Sequence, residues 1–213
     1  MVRNRVDIVV AAFAAAGPGV SFDPIRVQKL LFLIDRVVSE RIGGPFFDFR
    51  PYRYGPFDSA IYGVIEEMVS AHDAQIDTSG PYPRYSLTEA GDARGEVVLA
   101  SFPAPVTDYF GRAARWIRLM PYRRMLAAIY REYPEMAENS VVRHLGTDRP
   151  PPRSKPFIRG MTRAFDLTGT MYRSPETGKA ARSNADAIHD AWRAVGEELE
   201  QAMTRFGGSE HLW

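Results

Sequence analysis

AQIDTSGPYPRYSLTEAG, residues 74–91, is the stretch on which the fold turns. Ala74–Asp77 and Arg84–Leu87 each alternate apolar and polar side chains, the period of a half-buried strand, and the second strand is expected over Pro83–Leu87. Between them Thr78-Ser79-Gly80-Pro81-Tyr82 is dense in turn formers, so the two strands read as a hairpin. Thr88 and Glu89 then open a helix that runs to about Ser101.

Upstream of the hairpin the pattern is helical. Ile61, Val64, Ile65 and Met68 share one face of a helix capped by Asp58 or Ser59, and Gly55-Pro56 before it predicts a turn. Pro45–Tyr54, PFFDFRPYRY, reads as an extended aromatic segment interrupted by Pro51. Asp23-Pro24 opens a helix that carries Val27, Leu30, Leu31, Leu33, Ile34, Val37 and Val38 to a stop at Gly43-Gly44. Its apolar residues cover most of its circumference, which predicts a buried centre. A first amphipathic helix spans about Arg3–Ala16 and ends at Gly17-Pro18-Gly19. Helix, helix, extended segment, helix, hairpin, helix is the order of a winged helix, a variant of the helix-turn-helix plan. The expected fold is therefore mainly α with a small β-hairpin: a winged-helix-like module over residues 1–103, then a helical half.

That half opens with a helix over Val106–Met120 and a second from Pro121 to about Tyr133. Pro134 starts a short helix expected to reach Leu145, so residues 104–148 continue the same domain. Arg149–Pro156, RPPPRSKP, reads as an extended strap, followed by a helix over Phe157–Tyr172 and a loop. In the last helix, about Ser183–Phe206, Ile188, Trp192, Val195, Leu199, Ala202 and Phe206 form an a/d seam suited to its own domain, a partner or self-association. Residues 149–213 thus form a proline-rich strap plus a C-terminal helical extension.

The 213 residues contain no cysteine, which excludes a disulfide framework and thiol chemistry and fits a cytoplasmic location. Arg3 and Arg5 precede an apolar run, Ile8–Ala16, but Asp7 abuts it and its apolar residues recur at helical spacing, so a helix is expected rather than a signal peptide. No run approaches the length of a membrane span.

Charge is unevenly placed. Residues 1–111 hold 10 basic and 14 acidic side chains, and residues 112–163 hold 12 basic and 4 acidic. From Tyr54 to Pro83 there is no arginine or lysine, while Asp58, Glu66, Glu67, Asp73 and Asp77 fall there. This covers the helix and wing tip with which a winged helix meets DNA. Phosphate contacts need basic groups, so the sequence points away from DNA binding at that surface. Arg112, Arg115 and Arg118 recur every third residue around Trp116. Such a stripe fits phosphates, an acidic partner, the chain's own acidic first module, or a solvated helix face.

Three pieces of sequence resemble a known family. VQKLLFLIDR (Val27–Arg36), FDFRPYRYGPF (Phe47–Phe57) and IYGVIEEM (Ile61–Met68) follow the Panacea-domain pattern of the SocA-like antitoxins: Lys29-Leu30-Leu31-Phe32 in a helix, aromatic residues, then Tyr54-Gly55-Pro56 before another helix. YREYPEMAENS (Tyr130–Ser140) is similar to a downstream motif of related phage-associated proteins. The resemblance covers about residues 22–145 and has no counterpart in residues 146–213. It implies an antitoxin that neutralises a cognate protein toxin by direct binding, in at least one member as an adaptor that delivers the toxin to a protease. The alternative that the fold itself raises is a winged-helix transcriptional regulator.

Little in the sequence suggests catalysis. His72, His144, His189 and His211 stand singly, Asp186 and Asp190 lie one turn apart on a charged helix, and no nucleotide or nucleophile motif occurs. Asp35 and Asp48 could meet only through the fold. No enzyme activity, metal or cofactor is expected. The expected partner-contact residues are Phe47, Phe49, Tyr52, Tyr54, Gly55, Pro56, Tyr62, Glu66, Arg112, Arg115 and Trp116. For Tyr52 and Tyr54 the other reading is packing under the third helix, with Gly55-Pro56 only turning the chain.

Overall fold

The computed structural model describes residues 3–143. The strap at Arg149–Pro156, the helix over Phe157–Tyr172, the C-terminal seam and His144, His189, His211, Asp186 and Asp190 lie outside the described residues.

Among the described residues six helices and five short strands follow one another: α1 (Arg5–Ala14), β1 (Ser21–Phe22), α2 (Pro24–Ile42), β2 (Arg50–Tyr52), β3 (Gly55–Phe57), α3 (Ala60–Ser70), β4 (Ala74–Asp77), β5 (Arg84–Leu87), α4 (Glu89–Ala100), α5 (Ala104–Leu119) and α6 (Tyr122–Glu132). A 3-10 turn at Pro134–Ala137 follows α6. Mainly helical with a small antiparallel sheet, this is the fold class expected from the sequence.

The start signals work as their chemistry dictates. Asn4 and Asp7 form a reciprocal capping box at α1, Asp23 accepts the Arg26 N–H at α2 with Pro24 in the first turn, and Thr88 accepts the Gly91 N–H at α4. Gly43, with φ +93°, ends α2 in the left-handed conformation that glycine adopts most cheaply.

β1 was not expected, because two residues carry no period. Ser21 and Phe22 pair antiparallel with Ser86 and Tyr85, and β5 pairs with β4, so the sheet order is β1-β5-β4. Arg84 secures this edge by donating from Nε to Ser21 Oγ at 2.9 Å and from Nη2 to the Ser21 carbonyl at 3.2 Å.

Helix α1 is buried nearly all round, not amphipathic as its spacing suggested. Ile8, Val9, Val10, Ala11 and Ala12 are consecutive and fully buried, since packing against α2, α3, α4 and α5 leaves no solvent face. On α4, Arg94 reaches both Asp7 of α1 and Asp73 at the start of β4. Gly91 allows this approach: a Cβ there would stand 1.8 Å from the Asp73 carbonyl oxygen.

Two expectations change between α2 and α3 and after α6. Gly55-Pro56 is not the turn; Arg53 and Tyr54 turn the chain, and Gly55-Pro56-Phe57 is a strand paired with Arg50-Pro51-Tyr52. Prolines fit because Pro51 lies opposite Pro56, in a pair whose main-chain groups point out of the ladder, so no ladder hydrogen bond is lost. The helix expected from Pro134 to Leu145 shortens to the 3-10 turn, after which the chain runs beside β2.

Candidate protein-docking site

The hairpin β2–β3 is inserted where a minimal winged helix passes from its second helix to its third, and α2 holds it with side chains that look like core positions in the sequence. Gln28 donates from Nε2 to the Asp58 carbonyl and accepts the Asp58 N–H at Oε1, both at 3.0 Å. Lys29 Nζ donates to the Pro56 carbonyl at 2.9 Å, and Asp35 accepts the Phe46 N–H at 2.8 Å. Asp58 accepts the Asp48 N–H and, at its other oxygen, the Ala60 N–H, so one carboxylate ties the aromatic segment to the start of α3.

The far side of the hairpin is held by the segment after α6. Asn139 donates to the Pro51 carbonyl at 3.1 Å, Val141 N–H to the Arg53 carbonyl at 3.0 Å, and Ser140 Oγ to the same Arg53 carbonyl at 3.1 Å. Ser140 also shares a 2.7 Å hydrogen bond with the Tyr130 hydroxyl. The Tyr130 ring lies against Gly55, where a Cβ would be 2.9 Å from Cε1 and φ is +87°. The α2, aromatic and Tyr130–Ser140 pieces singled out in the sequence therefore converge on one hairpin.

Burial sorts the expected contact residues. Tyr52 is 43 % exposed and stacks on Phe57 with ring centroids 4.9 Å apart. From Phe57 the aromatic row continues to Tyr62 at 6.1 Å and to buried Tyr85 at 6.4 Å. Phe49 is half-buried against Phe32, and Tyr54 is half-buried near Tyr122. Glu66 is exposed; with Gly63, Glu67 and Ser70 it forms the outward face of α3.

Four expected contact residues are internal. Phe47 packs against Phe49 beneath the surface, Pro56 presents its carbonyl to Lys29, Gly55 makes room for Tyr130, and Trp116 is buried on the inward side of α5. Their chemistry supports the surface instead of forming it. Arg112 and Arg115 are exposed on α5, which packs on α2 and α1, and no hydrogen bond or ion pair links them to the hairpin. The structure does not unite the aromatic and arginine parts of the expected set.

Two residues of the site, Lys29 and Val141, are absent from the contact set expected from the sequence. Lys29 is 2 % exposed, and burial lowers its ammonium to about 7 against an opposing pull from Asp23. A lysine flanked by Leu30 and Leu31 on an apolar helix was the available signal. Exposed Val141 beside the hairpin gave none. Asp35 and Asp48 do not pair: Asp48 bonds Arg50, while burial raises the Asp35 carboxyl despite its bonds to the Phe46 and Phe47 backbone. Among the described residues no cluster of histidines and carboxylates could hold a metal ion, and no helix is long and apolar enough to cross a membrane.

Electrostatically, the aromatic row ends in acid. Tyr85 is pushed up to about 12, first by burial and then by the Glu66 carboxylate. Neither a protein-family model nor a curated protein matches this sequence.

Proposed function

We infer that this chain is an antitoxin-like protein that neutralises a partner toxin by stoichiometric protein–protein binding, through Tyr52 and the acidic outward face of α3. The observation that carries the reading is the inserted hairpin. Buried hydrogen bonds from α2, and further bonds from the segment after α6, fix its backbone while Tyr52 faces solvent. A rigid backbone with an exposed aromatic residue is the arrangement of an interface anchor, since ordering is completed before binding.

The acidic helix favours this reading over a regulator that reads DNA with α3. In a winged helix α3 would enter the major groove, yet its outward positions are Gly63, Glu66, Glu67 and Ser70. Two carboxylates and no basic group repel a polyanion and suit a cationic protein surface. The Panacea-like pattern adds to the reading because its pieces build this hairpin. A role as a proteolytic adaptor would use the same surface for the toxin.

The test is genetic. The gene adjacent to this one is expected to be toxic when expressed alone and harmless when the chain is co-expressed. Neighbours that are all harmless alone would end the antitoxin reading.

A further inference from the structure

Arginines that precede α5 are largely occupied by the protein itself. Arg3 bonds Ser101 and lies over Phe102, Arg5 bonds the Phe46 carbonyl, Arg26 bonds Asp23 and the end of α5, Arg84 bonds Ser21, and Arg94 bridges two aspartates. Arg112, Arg115 and Arg118 differ. All three are exposed on α5, and none has a hydrogen bond or carboxylate partner among the described residues. At the helical rise and turn their backbone positions span about 9 Å along the axis and about 120° of the circumference, one broad outward face.

We propose that the outward face of α5 binds the phosphodiester backbone of duplex DNA without reading sequence. Three features select this occupant. A protein interface needs an apolar centre, and Leu119, 62 % exposed, is the one large apolar side chain exposed on α5. Single strands are gripped by stacking on aromatic residues, and Tyr109, Phe110 and Trp116 of α5 all face the core. A second copy docked α5 against α5 would bring arginine onto arginine, whether parallel or antiparallel. Backbone phosphates require only the arginines. Asp108, exposed a turn before Arg112, bounds the face at its N-terminal end. The residues differ from those of the toxin-contact surface, so each proposal stands or falls alone.

The experiment titrates a labelled mixed-sequence duplex with the full chain and follows fluorescence anisotropy. Three phosphate contacts predict a log–log salt slope of about −2.7, which is about 40-fold weaker binding at about 200 mM than at about 50 mM salt. In R112Q/R115Q/R118Q, whose exposed sites leave the circular-dichroism spectrum unchanged, affinity falls at least about tenfold and the slope flattens toward zero. No anisotropy change at low salt overturns the proposal, as does equal binding by the triple variant. Binding of poly-L-glutamate as tightly as the duplex, with the same arginine dependence, also overturns it and assigns the face to an acidic protein.

Discussion

Replacing Lys29 by methionine removes a buried amine of similar length and leaves the apolar stem in place. In the wild type, Nζ has a 2.9 Å hydrogen bond to the Pro56 carbonyl, and burial brings the ammonium from 10.5 to about 7. Between those two values the unfolded chain binds a proton that the folded chain does not. Stability therefore rises with pH across this window, by up to about 1.4 kcal/mol per pH unit, and is lost as pH falls through the folded value. Above about pH 10 the buried and half-buried tyrosines act the other way. Burial raises Tyr62, Tyr85, Tyr109, Tyr122, Tyr130 and Tyr133, so their protons leave the unfolded chain first. The clean interval is thus from about pH 7 to about pH 9, where wild type should gain about 2 kcal/mol relative to K29M. At the upper end K29M should be less stable by about 1–3 kcal/mol, because the Pro56 carbonyl loses its donor. Urea unfolding of both proteins at about pH 7, 8 and 9 reads these differences. Parallel pH profiles would refute the reasoning, since they would mean that the buried amine does not set the pH dependence.

Gly55→Ala should destabilise the fold by about 2–4 kcal/mol, from a positive φ and a collision with the Tyr130 ring, and a thermal melt compares it with wild type. A smaller loss, within about 0.5 kcal/mol, would show that the hairpin shifts freely. Tyr52→Ala should leave the melting temperature almost unchanged while weakening toxin binding by about 2 kcal/mol, roughly 30-fold in Kd by calorimetry. Unchanged affinity would remove Tyr52 from the contact. Glu66→Lys with Glu67→Lys should slow association with a cationic toxin and make it less salt-dependent, as stopped-flow rates would show; a faster rate would reverse the assigned charge of the partner.

The elements that owe their form to local chemistry could be placed from the sequence. Asp23-Pro24 and Gly43 bound α2, alternation at Ala74–Asp77 and Arg84–Leu87 set the wing, and Thr88 opens α4. The absence of basic residues from Tyr54 to Pro83 is likewise a property of sequence, and it determines the charge of α3's outward face wherever that helix sits. What depends on distant partners could not be placed. β1 exists because β5 passes beside it, and α1 loses its solvent face because four helices surround it. Gly55-Pro56 is a strand rather than a turn because Lys29, 27 residues earlier, and Tyr130, on α6, hold it there. Periodicity and capping act within a few residues, so a chain states them directly. Which aromatic residue reaches solvent is settled only when buried donors and acceptors find each other across the fold: Tyr52 ends up outside, and Phe47 and Trp116 end up inside.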